Sequence, residues 1–221
     1  REPVWSIASD VDNPSFDDSS HGDGSCIVLC GAGTERASWA VVQLSGPAHN
    51  SRVVNCLMGP LNHFVQAIPP AELTALKYFL KYACDLPKLV FHTDCDWVIL
   101  GFGKGRAGTT RGCHVHADIW MEVWRMLNKR KNAITLKKVK AHSTVQMVED
   151  FTVDPMDREG NCHADAGAKV ALAYHRIDVA LVNECRIQEA GLTMVARFLA
   201  YMQGVVADAA NDAPKMDRRK R

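Results

Sequence analysis

Leu89-Val90-Phe91 is a short run in which every side chain is apolar, and it leads into Thr93-Asp94. A strand with no polar face must be covered on both sides, as at the centre of a sheet with helices packed above and below. The flanking sequence supplies the other elements. Cys26-Ile27-Val28-Leu29, Trp39 to Leu44 and Arg52 to Leu57 read as strands, separated by Gly31/Gly33, Gly46-Pro47 and Gly59-Pro60, as in an antiparallel meander. Pro69-Pro70 opens a helix in which Leu73, Leu76 and Leu80 form an apolar stripe. A helix begins near Asp96, and a Gly-rich basic loop spans Gly101 to Gly112. Another helix runs from about Ala117 to Asn128, Ile134 to Val139 reads as a strand, and residues 161–174 form an Ala-rich helix. This order predicts an α/β domain with a mixed sheet and helices packed on it.

The chain is long enough, at 221 residues, for one well-buried domain and an appendage. Its net charge of +1 means that any affinity for nucleic acid must come from local basic patches. No uninterrupted apolar run approaches the ~18 residues of a spanning helix, so no membrane partner is expected. Starting at Arg1 without a leader pattern, the chain reads as a segment of a longer polypeptide. The eight cysteines are scattered and include no CxxC pair, which favours a reducing compartment and an intracellular, nuclear or cytoplasmic setting. Cys113-His114-Val115-His116 is the one string that suggests zinc, and it has no second ligand pair at finger spacing.

Acidic residues fall at element ends. Asp23 precedes the first core strand, Glu72 lies in the first turn of a helix, Asp94 at the C-terminal end of the apolar strand and Asp165 in the first turns of the last core helix. Taken singly, each fits the preference of carboxylates for helix N-termini. Gathered within about 4–6 Å, each close pair would repel by roughly 4 kcal/mol at an effective dielectric of 20. Such a cluster calls for hard divalent cations, Mg²⁺ or Mn²⁺.

Six strings in order resemble the ribonuclease H family: Asp23-Gly24-Ser25-Cys26, Pro70-Ala71-Glu72-Leu73-Thr74-Ala75-Leu76, Thr93-Asp94-Cys95, His116-Ala117-Asp118-Ile119-Trp120, Val139-Lys140-Ala141-His142-Ser143 and Gly160-Asn161-Cys162-His163-Ala164-Asp165. The resemblance covers roughly residues 20–175. Ala37 to Val42 is closest in style to domains attached to retrotransposon reverse transcriptases of the non-LTR type. The resemblance implies a ribonuclease H-like mixed five-stranded sheet with helices on both faces. The implied activity is endonucleolytic hydrolysis of the RNA strand of RNA/DNA hybrids with two ions per site, leaving 3′-hydroxyl and 5′-phosphate ends. Asp23, Glu72, Asp94 and Asp165 would hold the ions, and His142 would assist proton transfer or product release. Ser25, Cys26, Cys95, Lys104, Arg106, Arg111 and Asn161 would contact substrate, and a covalently linked reverse transcriptase domain would be a partner. The alternative is a ribonuclease H-like nucleic-acid-binding or structural module with weak or no catalysis.

Several positions depart from the family pattern. Ser19-Ser20-His21-Gly22 stands where an apolar strand usually precedes the first Asp. Either that strand is short, or Val4 to Ala8 is the first strand and Asp10 the ligand; Gly24-Ser25-Cys26 after Asp23 favours Asp23. Asp96, Ile68 and Pro69 replace polar substrate contacts. Asn161 is either a substrate contact or a helix N-cap. Lys104, Arg106 and Arg111, followed by Lys129, Arg130 and Lys131, suggest a phosphate-gripping patch, with a solvated loop as the plain alternative. Trp120 and Trp124 are expected in the core.

Residues 1–19 are expected to form an irregular lead-in anchored by Val4, Trp5 and Ile7, residues 20–175 the domain, and residues 176–221 a helical extension. In that extension Leu181, Cys185, Gln188, Leu192, Val195, Leu199, Met202 and Val206 alternate spacings of four and three, a heptad-like stripe. The end, Asp217-Arg218-Arg219-Lys220-Arg221, is a short basic tail.

Overall fold

The computed structural model describes residues 2–10, 12–29, 34–112, 114–175 and 179–212. Cys30, Cys113 and the basic tail lie outside these residues, and with Cys113 the zinc reading of its string. The chain divides into two units: Arg1–Val28 with Glu35–Arg176, and Leu29–Thr34 with Ile177–Arg221.

The first unit is built on a six-stranded mixed sheet in the order β1-β4-β3-β2-β5-β6. The strands are β1 (Val4–Ile7), β2 (Ser20–Val28), β3 (Glu35–Ser45), β4 (Arg52–Pro60), β5 (Val90–Thr93) and β6 (Thr135–Lys138). β2, β3 and β4 form the expected antiparallel meander, whereas β5 runs parallel to β2, and β6 parallel to β5. Among the described residues six α-helices, α1 (Ile68–Tyr82), α2 (Asp96–Gly103), α3 (Gly105–Thr109), α4 (Ala117–Leu127), α5 (Val145–Glu149) and α6 (Pro155–Ala171), and two short 3₁₀ helices (Ala48–Asn50 and Leu172–Tyr174) complete the unit.

Period-two alternation in β3 sends its side chains to two different cores. Ala37, Trp39 and Val41 join Leu73, Leu76, Phe79 and Phe91 on the side covered by α1 and α4. Ala40, Val42 and Leu44 meet Ala164, Ala168 and Ala171 of α6 on the other. The small residues of α6 let that helix lie close to the sheet, and its first turn is fixed by the Asp154 carboxylate, which accepts from the backbone N–H groups of Met156 and Asp157. Both faces of the sheet are therefore covered, as the apolar run at residues 89–91 requires.

The lead-in is more structured than its composition suggests. Val4–Ile7 pairs antiparallel with β4, adding a sixth strand to the expected five. Val4 and Ile7 stay exposed, and the true plug is Phe16, which is fully buried and whose backbone bonds to Tyr82 and Cys84. Its burial depends on contacts distant in sequence, invisible to a local pattern. The Gly-rich basic stretch also differs from the loop expected of it. Most of it is helical, in α2 and α3, and Gly101 lies against the Trp120 ring. Trp120 is in the core, and Trp124 Nε1 donates to Thr109 Oγ1.

The second unit holds α7 (Val179–Asp212), a single helix. Leu192, Val195, Leu199, Met202 and Val206 of its heptad-like stripe are exposed. Within it, Val182–Asp208 is long and apolar enough to cross a membrane, by length and composition alone. Glu184, Arg186, Glu189, Arg197 and Asp208 interrupt this segment, so it contains no uninterrupted apolar run of that length.

Candidate metal centre

β2 and β5 pair in parallel at Ser20–His21 and Phe91–His92, so Asp23, inside β2 just past that pairing, and Asp94, the residue after β5, come to the same place. Glu72 arrives from α1, and the reason it can is Gly24. A Cβ at Gly24 would lie 2.9 Å from both Ala71 Cβ and the Glu72 backbone nitrogen, so only glycine lets the helix come this near the strand. One carboxylate oxygen from each of Asp23, Glu72 and Asp94 falls within 4.8 Å of the others.

Hydrogen bonds set the orientation of each group. Asp23 Oδ1 accepts from the Gly24 N–H at 2.6 Å. Glu72, almost wholly buried, accepts at Oε2 from Thr93 Oγ1, 3.2 Å away, and Thr93 Oγ1 in turn accepts from the Cys95 N–H. Asp94 Oδ2 accepts from Asn161 Nδ2 at 3.2 Å. Asn161 therefore lies inside α6, which begins at Pro155, and it is no N-cap; Asp154 has that role.

The electrostatics are those of anions without enough cation. Burial raises the Asp23 pKa to about 6, with Asp94 and Asp165 adding to the rise against the hydrogen bonds from Glu72 and Gly24. Burial, then the charge of Asp23, pushes Glu72 well above the ordinary carboxylate range. The three groups offer only oxygen donors, and a hard divalent cation would relieve both the desolvation and the repulsion, so the residues fit Mg²⁺ or Mn²⁺.

Asp165 is near enough for its charge to be felt at Asp23, but its Oδ2 pairs with Lys169 Nζ at 2.7 Å, one turn along α6, and it stands outside the three-way cluster. Asp10 is exposed and caps its own loop, accepting from the Asp12 and Asn13 N–H groups. His142 is exposed in a turn, with a left-handed φ of 48°. Ser25, Cys26 and Cys95 are half-buried, and Lys104, Arg106 and Arg111 are exposed on or beside α3. Arg130 does not belong to an open basic patch: its guanidinium donates to Ala83 O and Cys84 O and pairs with Asp85. Lys138, which sequence reasoning passed over, donates to the Asp94 carbonyl and pairs with Asp96 at 3.0 Å.

A second cluster was not foreseen at all. His21 and His92 stand opposite each other in the β2/β5 register, and both face Asp157 of α6. The signal was present as the departure at Ser19-Ser20-His21-Gly22, where polar residues replace the apolar strand expected before Asp23.

No protein-family model and no curated protein sequence matches the chain. Solved structures similar to it include RNase H1 from the halophilic archaeon Halobacterium salinarum, at 18% identity and a TM-score of 0.44 over 71% of this chain and 98% of that one. LC9-RNase H1, a type 1 RNase H with the type 2 active-site motif, is similar at 14% identity and a TM-score of 0.44, covering 72% of this chain and 74% of that one. The N-terminal RNase H domain of a Mycobacterium tuberculosis protein, solved as a fusion with maltose-binding protein, is similar at 17% identity and a TM-score of 0.45, over 72% and 96% of the two chains.

Proposed function

We propose that the chain is a divalent-metal-dependent endonuclease that hydrolyses the RNA strand of RNA/DNA hybrids and leaves 3′-hydroxyl and 5′-phosphate ends. The observation that carries this reading is the convergence of Asp23 of β2, Glu72 of α1 and Asp94 just past β5, two of them buried. Asp23, Glu72 and Asp94 would hold one or both ions, and Asp165 would join them by turning away from Lys169. When bound, the ions supply neutralisation of the scissile phosphate and a more acidic attacking water.

The chain's own residues do the positioning. Thr93 and the Gly24 N–H fix the carboxylates of Glu72 and Asp23, and Asn161 holds Asp94, so the acidic groups are preset rather than gathered on binding. Lys104, Arg106 and Arg111 supply exposed positive charge for the phosphate backbone. His142, exposed in a turn, would carry a proton to the departing 3′ oxygen or assist product release. A neighbouring reverse transcriptase and a nuclear or cytoplasmic location are inferred with it, resting on the Ala37–Val42 string and the scattered cysteines without a CxxC pair alone.

The test is cleavage of labelled RNA/DNA hybrid, single-stranded RNA and duplex DNA with Mg²⁺, Mn²⁺ or chelator. Metal-dependent cleavage of the hybrid alone, with a 3′-hydroxyl product, supports the reading. Binding without cleavage under every metal condition moves it to a nucleic-acid-binding module, the alternative favoured by the Asp165–Lys169 pair.

A further inference from the structure

Two residues before Asp23 and Asp94 on the same strands stand His21 and His92, and the helix that carries Asp165 carries Asp157 two turns earlier. We propose that His21, His92 and Asp157 form a second metal site, one for a zinc-like transition ion, distinct in its chemistry from the acidic centre.

Three observations point to a ligand here. First, one donor atom from each of the three residues lies within 4.8 Å of the others. His92 Nδ1 is 2.9 Å and His21 Nε2 3.8 Å from Asp157 Oδ1, and the two rings stand 4.3 Å apart between centroids. Ligands about 2.0–2.1 Å from a tetrahedral ion are roughly 3.3 Å from one another, so small side-chain rotations would bring the three into coordination.

Second, the imidazoles are orphaned. His21 is 4% exposed, and neither of its ring nitrogens has a hydrogen-bond partner. His92 Nδ1, though close to Asp157, is not aligned with it as a hydrogen bond and is likewise without a partner. Buried polar atoms are rarely left so, and each such case calls for a ligand, a water or strain to account for it.

Third, the place is shaped around the rings. Gly160 of α6 leaves the room that the His21 imidazole fills: a Cβ there would come within 2.2 Å of the ring.

The cation already at this cluster is the Lys137 ammonium, 2.8 and 3.1 Å from the two oxygens of Asp157. Its side chain is 46% exposed, whereas that of Asp157 is only 12% exposed. Lys137 can therefore swing out to water and leave the carboxylate to an ion. Two imidazoles and one carboxylate suit Zn²⁺ or Co²⁺ over Mg²⁺. An ion held there would tie β2, β5 and α6 together, the three elements that carry Asp23, Asp94 and Asp165.

The test uses the full chain, stripped with chelator and returned to excess Mg²⁺, then titrated with Co²⁺ by visible absorption and with Zn²⁺ by calorimetry. One Co²⁺ per chain with a nitrogen/oxygen ligand-field spectrum is expected, displaced by Zn²⁺. Binding should survive Asp94→Asn, which separates this site from the acidic centre and from the nuclease reading. It should be lost in His92→Gln, and Lys137→Met should tighten it by about tenfold or more, the lower end of what a neighbouring group does to a metal site. Circular dichroism establishes that each variant is folded. Folded Lys137→Met protein that binds no Co²⁺, or Co²⁺ whose affinity is unchanged by both His92→Gln and Lys137→Met, overturns the proposal.

Discussion

Asp23 and Asp94 stand two residues beyond His21 and His92 on the same parallel strands, yet the two clusters handle buried charge in opposite ways. Around Asp23, anions face anions, and burial holds the carboxyl groups toward their protonated forms. Around Asp157, burial would also raise the pKa, but the contacts of His21, His92 and Lys137 override it and hold this carboxyl well below the usual range. One cluster has other carboxylates as its nearest charged neighbours; the other, before any ion enters, has the Lys137 ammonium. The composition of the donors, and not the depth of burial, makes the difference.

The largest effect that could break this contrast is on turnover. Asp94→Asn should lower hybrid cleavage on the order of 10²–10³-fold, the scale for losing one electrostatic stabiliser of a transition state. A rate within a few fold of the parent would remove the acidic cluster from the reaction. Next is the response to Mg²⁺. An ion bound only by the folded chain at about 100 times its Kd stabilises by about 2.7 kcal/mol, read as a rise in melting temperature. That rise should vanish in Asp94→Asn and persist in His92→Gln.

The pH dependence sharpens the same point. In the folded chain Asp23 has a pKa of about 6, above its unfolded value, so the folded state holds the extra proton. Its stabilising contribution is complete below the unfolded carboxylate range and is lost as pH rises through about 6. Metal-free protein should therefore melt lower at pH 7.5 than at pH 5, with Mg²⁺ restoring stability at the higher pH only. Asp157, shifted down, contributes a constant amount across that window and loses it only in stronger acid. A flat metal-free profile between pH 5 and 7.5 would contradict the crowding of acids.

Two glycine substitutions separate the clusters structurally. Gly24→Val drives a side chain into Ala71 and the α1 backbone, and Gly160→Ala drives one into the His21 ring. Each overpacks its site and should cost about 1–3 kcal/mol in urea unfolding. Only Gly24→Val should also reduce Mg²⁺ binding. The smallest effect is expected from Lys169→Ala, which frees Asp165 at the surface. Its melting temperature should hardly move, while the Mg²⁺ requirement for cleavage falls.

The acidic cluster was legible only through the resemblance of the strings around Asp23, Glu72 and Asp94 to a family pattern, since their spacing along the chain does not by itself bring them together. The pairing of Asp165 with Lys169, one turn along α6, was not read from the sequence, although their i,i+4 spacing offered it. The histidine cluster stayed hidden because each member looked like a polar interloper in its own element, and only the register of β2 on β5 puts His21 beside His92. The start of α6 was missed for the reverse reason. Pro155 and Asp154 mark it clearly, but the Gly160-Asn161 string drew the boundary later. Phe16 could not be found by period or propensity, since what buries it is Trp5, Phe79 and the chain around Tyr82.

The short strand at Val4–Ile7 has a practical meaning for anyone preparing this domain. It covers the outer backbone of β4, whose Cys56, Leu57 and Met58 are buried, and Phe16 seals the end of α1. Cutting back to Ser20, where the recognisable strings begin, would strip that cover and leave a long bare sheet margin open to pairing between molecules. A trimmed preparation that clumps would then reflect its missing hem, and would say nothing against the chemistry at the other end of the sheet.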